Sequence, residues 1–355
     1  MTRANNFDFL RVLAALSVLY GHMFVLMGEP VPFLLGTSLH GLGIDIFFCV
    51  SGYLITLSWQ ADPSPARFAR RRALRILPGL AGVLLFSVFV LGPLVTTVPL
   101  SAYFASGETW RYLGNIVLFP RIHHTLPGVF AGNPFPGAVN GSLWSLPVEV
   151  LMYVMSAAIG LAVLAAVRLG LPRVFARPLP WHLLGGAVLW GFLIAVEASG
   201  RTSLFVAGSD LTVLAGLGLY YLSGAALALS PNRLPLRTDI AVLIVGALVV
   251  MPATALPFAP RAFLFAYAVL AFAQGTSFAG FARWGDFSYG LYLYAFPMQQ
   301  VVAAHFHGVL GVHVAALLSL AGALALAVLS WHFIEAPALR LKPRRPGGRK
   351  QAIAA

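Results

Sequence analysis

The chain has 355 residues, 59% of them apolar and only 10% charged, with a mean hydropathy of +0.85. That poverty of charge excludes a soluble enzyme of this length and defines a polytopic membrane protein. The formal charge of +12 does not point to nucleic acid, because the basic residues sit at the ends of apolar segments, and the single cysteine, Cys49, excludes a disulfide framework or a cysteine metal site.

Windows long enough to cross about 30 Å of hydrocarbon occur about ten times. They fall at 7–27, 42–59, 76–98, 143–169, 181–198, 204–229, 240–256, 262–281, 287–306 and 312–334. The predicted fold is therefore all-α, a bundle of about ten transmembrane helices spanning 1–341, with a disordered tail over 342–355. The N-terminus has few basic residues and no small-residue cleavage site, so the first helix reads as a retained span. With that end inside, 18 basic residues fall on inner segments (Arg3, Arg67, Arg70, Arg71, Arg72, Arg75, Arg168, Arg173, Arg177, Arg233, Arg237, Arg283, Arg340, Lys342, Arg344, Arg345, Arg349 and Lys350). Four fall outside (Arg111, Arg121, Arg201 and Arg261), which predicts both termini cytoplasmic.

The first span carries Arg11 and His22. Eleven residues at 100° each return to within about 20° of the starting face, about 16 Å further along, so one polar stripe faces the bundle interior or a wet cavity. Asp8 lies one turn before Arg11 and is placed to pair with it. The second span holds an acid, Asp45, in Gly43-Ile44-Asp45-Ile46-Phe47-Phe48 and runs on to Ser51-Gly52-Tyr53. Between the second and third spans, Arg67, Arg70, Arg71, Arg72 and Arg75 form a basic patch in which Arg71 and Arg72 neighbour Arg75 on one helical face. Forked guanidiniums suit a phosphate-bearing ligand, although any inner loop collects arginine.

Residues 99–142 are a long outer stretch rich in Gly, Pro and aromatics, able to roof a cavity. The fourth span then opens Trp144-Ser145-Leu146-Pro147-Val148-Glu149, with Tyr153 four residues on and sharing the face of Glu149. Both acids are expected in the outer half, by their place in the spans. The ninth window holds Ser288, Tyr289, Tyr292 and Tyr294, an aromatic belt or a channel lining. The last ends Phe333-Ile334-Glu335-Ala336-Pro337, read as a helix terminus. His123, His124, His305, His307 and His313 lack metal-ligand spacing and read as solvated or interfacial.

Taken together these pieces resemble the membrane-bound acyltransferase-3 family. The matching fragments, in the family's order, are Arg11 with His22, Gly43 to Ile55, Arg71 to Pro78, Trp144 to Glu149, Ser288 to Pro297 and Phe333 to Pro337. The resemblance implies an integral membrane O-acyltransferase of the bacterial inner membrane. It implies a cytosolic acyl-CoA donor, usually acetyl-CoA, and a hydroxyl acceptor on a glycan, glycolipid or glycosylated small molecule, without metal or nucleic acid. The family's arginine–histidine motif falls on Arg11 and His22, and its RxxR motif on Arg72 and Arg75. Where members often carry a histidine before the ninth-span proline, this chain has Ala295 and Phe296. No C-terminal esterase domain follows, so the resemblance is to the stand-alone form.

A mechanism is expected from these positions. An alcohol needs a base to attack a thioester, and His22 is the suited group of the first span. Glu149 or Asp45 is expected to orient it. Arg11, Arg71, Arg72 and Arg75 are expected on the donor, with Trp144, Tyr153, Ser288 and Tyr292 lining the substrate path. A covalent intermediate on a residue such as Ser288, and a proton-coupled transporter or flippase built on the same polar groups, remain the alternatives.

Overall fold

The computed structural model describes residues 5–119, 121–206, 209–230, 234–252 and 254–343. Part of the charge census (Arg3, Arg233, Arg344, Arg345, Arg349 and Lys350) and the expected tail from residue 344 onward lie outside these. Among the described residues ten helices of 13 residues or more carry the fold. They are α1 (Phe7–Met27), α2 (Leu39–Ala61), α3 (Pro65–Phe86), α4 (Ser145–Arg168), α5 (Pro178–Ala198), α6 (Leu211–Ala228), α7 (Thr238–Val250), α8 (Phe258–Ala273), α9 (Ser288–Phe306) and α10 (Val312–Ser330). Among the described residues strand is confined to two hairpins of two-residue strands, Phe33–Leu34 with Thr37–Ser38 and Phe205–Val206 with Ser209–Asp210.

By length and composition seven helical segments among the described residues suffice to cross a membrane. The protein is an all-α, multi-pass membrane protein. Helices α7 and α8 are shorter apolar helices, and α9, with 19 residues, is diluted by its tyrosines and glutamines.

The interior is built on α1, α2, α6 and α9. Helix α1 packs on α2 and α9, and α2 packs along α6. In lipid, helices associate by close packing rather than by hydrophobic transfer, so small residues sit where backbones meet. A Cβ at Gly52 would collide with the Tyr221 carbonyl, and one at Gly224 with the Cys49 carbonyl, so neither helix can carry a larger residue at the crossing. The start of α1 is stitched to the end of α8. The backbone N–H of Asn6 donates to the Ala273 carbonyl at 2.8 Å and its side chain to that of Phe272 at 3.0 Å.

Three departures from the sequence-based expectations bear on the site. Helix α3 begins at Pro65, so the arginines occupy its first three turns instead of a loop. It continues through a π-helical turn, Ser87–Leu91, where the Tyr103 hydroxyl donates to the Val88 carbonyl at 3.0 Å. The long stretch 99–142 does more than roof the bundle: its end folds back among the helices. Asn140 donates to the Leu293 carbonyl at 2.8 Å and the Tyr292 hydroxyl to the Ser142 carbonyl at 2.9 Å, both on the second turn of α9.

Candidate active site

A cavity of about 140 Å³ lies between α1, α2, α3, α4 and α9. Arg11, Arg72 and Arg75 line it, with Glu149, Tyr153, Ser288 and Tyr289, and it continues past Ser51 to Phe47, Ser145 and Tyr292. The helical spacing explains the gathering. Arg72 and Arg75 are one turn apart on α3, Glu149 and Tyr153 one turn apart on α4, and Ser288 and Tyr292 one turn apart on α9.

The arginines differ in what they are free to do. Arg11 and Arg75 share one oxygen of Asp286, at 3.0 and 2.6 Å, and Arg11 also pairs with Asp8. Asp286 is 2% exposed, and its other oxygen accepts from the Ser288 hydroxyl at 2.5 Å. Burial alone would raise this carboxyl; Arg11, Arg75 and Ser288 outweigh it and hold the group well below the usual carboxylate range. Arg71 turns out of the cavity altogether and, with Arg67, grips Asp62, which those bonds hold far below its ordinary range. Arg72 is different. Among the described residues no carboxylate lies within ion-pair distance of it, its Nε is buried without a partner, and its guanidinium rests over the rings of Phe68 and Tyr153 at 5.9 and 5.7 Å. A preoriented cation with unspent donors in a cavity wall suits an anionic ligand.

Lys342, assigned by sequence to the tail, is half-buried beside this group. Burial first, then the charges of Arg75, Arg72 and Arg11, depress its ammonium to about 8.

The two acids expected beside His22 lie elsewhere. Glu149 belongs to the arginine end of the cavity, bonded by the Tyr153 hydroxyl, because α4 starts only at the depth of Tyr292: the Ser145 hydroxyl is 2.5 Å from that of Tyr292. The expectation of an outer-half Glu149 is corrected accordingly. Asp45 is 7% exposed and turned toward α6, where the Tyr220 hydroxyl bonds it, and it does not line the cavity.

His22 sits beyond the cavity, one turn above Tyr292 along α9. Its ring packs at 5.6 Å against the edge of Phe296 and at 5.0 Å from the ring of His40, and its Nδ1 is buried without a hydrogen-bond partner. Arg11 and His22 do share a face of α1, and both look toward the α9 segment, one at Asp286 and the other at Phe296. Phe47 and Tyr292, with ring centroids 5.8 Å apart, line the cavity one turn of α9 before Phe296, on which the imidazole packs. Trp144 packs in the short 3-10 turn that precedes α4 and does not line the cavity.

Of the five histidines read as solvated or interfacial, His313 bonds the Tyr20 hydroxyl at 2.7 Å, His305 meets the Val301 carbonyl at 2.8 Å and His124 meets the Asn140 carbonyl at 3.3 Å. Among the described residues no three His, Cys, Asp or Glu side chains gather as a metal would need. Sequence reasoning missed Asp286 and His40, and read the buried Glu335 only as part of a helix terminus. The last accepts from Ser330 at 2.9 Å within a π-helical turn, Trp331–Glu335, and its second oxygen has no partner.

A multi-helix membrane protein with a basic cavity at one end and a shielded imidazole further along defines the class. The acyltransferase domain of the acyltransferase-3 family matches residues 5–332, and the chain belongs to that family. It is 30% identical over 350 residues to an O-acetyl transferase of Shigella phage Sf6, covering 94% of this chain and 96% of the relative. It is also 28% identical over 376 residues to nodulation protein 10 of Rhizobium leguminosarum bv. viciae, covering 95% and 94%. No solved structure matches. The chain is a membrane-bound O-acyltransferase.

Proposed function

We propose that this enzyme moves an acetyl group from acetyl-CoA to a hydroxyl of a glycan, glycolipid or glycosylated small molecule, with His22 as the general base. The observation that carries the donor assignment is Arg72: a guanidinium with no carboxylate partner among the described residues, propped on two aromatic rings, in a cavity it shares with Arg11 and Arg75. Those groups would take the nucleotide phosphates, and the thioester arm would run past Ser51 and Ser145 toward Tyr292 and His22. The name of the phage relative supports acetyl as the group moved. The arginine end would face the cytosol of a bacterial cell, where acyl-CoA resides, following the positive-inside rule.

In the reaction the acceptor oxygen attacks the thioester carbonyl as His22 takes its proton. The C–O bond forms, the C–S bond breaks, and the imidazolium returns its proton to the leaving thiolate. Asp45 and Glu149 hold Tyr220 and Tyr153 and take no proton in this scheme.

The test is purified protein in detergent, without any gradient, given labelled acetyl-CoA and a panel of methyl glycosides. His22→Ala should bind acetyl-CoA and transfer nothing; transfer near the wild-type rate retires the base assignment. Envelope glycans and secreted small molecules from cells with and without the protein, compared by mass spectrometry, identify the acceptor.

A further inference from the structure

Resting on the reading of His22 as base, we propose that His40, at the start of α2, is the positioning residue for His22 and takes the place that a carboxylate fills in other base–orienter pairs. Two features place it there. The rings of His22 and His40 lie 5.0 Å apart, close enough for facing nitrogens to come within about a hydrogen-bond length of each other, and the Nδ1 atoms of both are buried without partners. The approach is also built into the backbone. A Cβ at Gly21 would strike the backbone nitrogen of His40, so the glycine just before the base lets α2 begin against α1.

Ser38 is placed to fix which nitrogen of His40 carries the proton. Ser38 caps α2 by accepting the Gly41 N–H at 3.3 Å, and the same hydroxyl oxygen lies 3.2 Å from His40 Nε2. The Ser38 oxygen, with one lone pair engaged by the cap, still has a lone pair to accept His40 Nε2–H and a proton to donate to that nitrogen; in the proposed pairing His40 Nε2–H donates. A neutral imidazole has one donor and one acceptor, so His40 Nδ1 presents a lone pair toward His22. That lone pair selects the His22 tautomer protonated at Nδ1 and leaves Nε2 of His22 to accept the acceptor's proton. No hydrogen bond joins the two rings in this conformation; a small side-chain rotation closes it, as catalytic hydrogen bonds often tighten only with substrate bound. Proton count is unchanged: His22 takes one proton at Nε2 and returns it to the thiolate, and His40 keeps its own throughout.

The experiment uses full-length protein labelled with 15N-histidine in detergent micelles. The His22 signals are assigned from the His22→Gln difference spectrum. The wild type should show His22 protonated at Nδ1, His40→Ala should give a mixture of tautomers, and His40→Asp should restore the single form. In parallel, thiol release from acetyl-CoA with the methyl glycoside panel should fall at least tenfold in kcat for His40→Ala, with KM for acetyl-CoA within twofold and partial recovery in His40→Asp. Should His40→Ala not fold, Ser38→Ala removes the tautomer lock and takes the same measurements. A His22 tautomer that is protonated at Nε2 in the wild type, or unaltered by both variants, overturns the pairing. Wild-type transfer by His22→Ala would instead sink the base assignment, which the spectra do not depend on.

Discussion

Arg75 on α3 and Asp286, just before α9, meet at 2.6 Å across 211 residues of chain, and Arg11 of α1 joins the same carboxylate oxygen. One buried acid thus fixes two of the three guanidiniums of the cavity and ties three helices together at its arginine end. Asp286→Ala leaves Arg75 without its ion-pair partner and Arg11 with Asp8 alone. Removing one partner of a buried pair costs about 3–5 kcal/mol. The expected outcome is a large drop in the thermal unfolding temperature in detergent together with weaker acetyl-CoA binding, read from a thermal scan and a donor titration.

The same carboxylate gives a pH dependence with a definite sign. Its folded pKa lies below its unfolded value of about 3.9, so its contribution to stability is present above that value and is lost as pH falls through the folded pKa. Wild type and Asp286→Asn should therefore differ in stability at pH 6 and converge toward strongly acidic pH. A gap that stays constant down to pH 3 and below would contradict the assignment.

Arg72 and Arg71 are adjacent in sequence and opposite in prediction. Arg72→Ala removes donors that no carboxylate among the described residues uses; a charge-assisted bond is worth about 1.5–3 kcal/mol, so donor affinity should fall roughly 10–100-fold with the fold intact. Arg71→Ala breaks the clamp on Asp62 and should lower stability with little change in donor affinity. Isothermal titration with acetyl-CoA, next to a melting curve for each variant, separates the two effects.

Lys342 is held near 8 by burial and by three arginines, and so strains the folded state while it is charged. The sign is that of a depressed cation. The strain is complete below pH 8 and is relieved as the folded-state ammonium deprotonates between about 8 and its unfolded value of about 10.4. Lys342→Met should melt higher than wild type at pH 7, with the advantage shrinking by pH 9.5, and should bind acetyl-CoA more weakly. Equal melting at neutral pH would remove Lys342 from the cluster.

Gly52→Ala and Gly224→Ala test the crossing of α2 with α6. Each adds one methyl group against the partner's backbone, where nothing flexible can yield. Both should reduce the yield of monodisperse protein on size exclusion, whereas Gly246→Ala, with open space around it, should not.

The spans and the polar stripe on α1 were legible because length, hydropathy and an eleven-residue spacing are local properties. The face that carries Arg11 and His22 does meet the α9 segment, as a buried stripe must. The depth of Glu149 was not legible, since nothing in a Gly- and Pro-rich loop tells that Asn140 and Ser142 bond α9 and so lower the start of α4 into the bundle. Asp286 escaped notice for a related reason: it lies between a glycine and a phenylalanine outside any apolar window, and only the folded chain brings Arg11 and Arg75 to it. His40 follows a two-strand hairpin and looks like an ordinary loop histidine until Gly21 draws it against α1.

Tyr292 bears on the timing of the reaction. Its hydroxyl is bonded to Ser142 and Ser145 and its ring abuts Phe47, one turn of α9 before the Phe296 that packs on the imidazole. Under the proposed mechanism a thioester resting in the basic cavity would be kept away from His22, and idle turnover would stay low until arrival of the second substrate loosened the tyrosine. Such an enzyme would work through a ternary complex, and Tyr292→Ala would squander its donor.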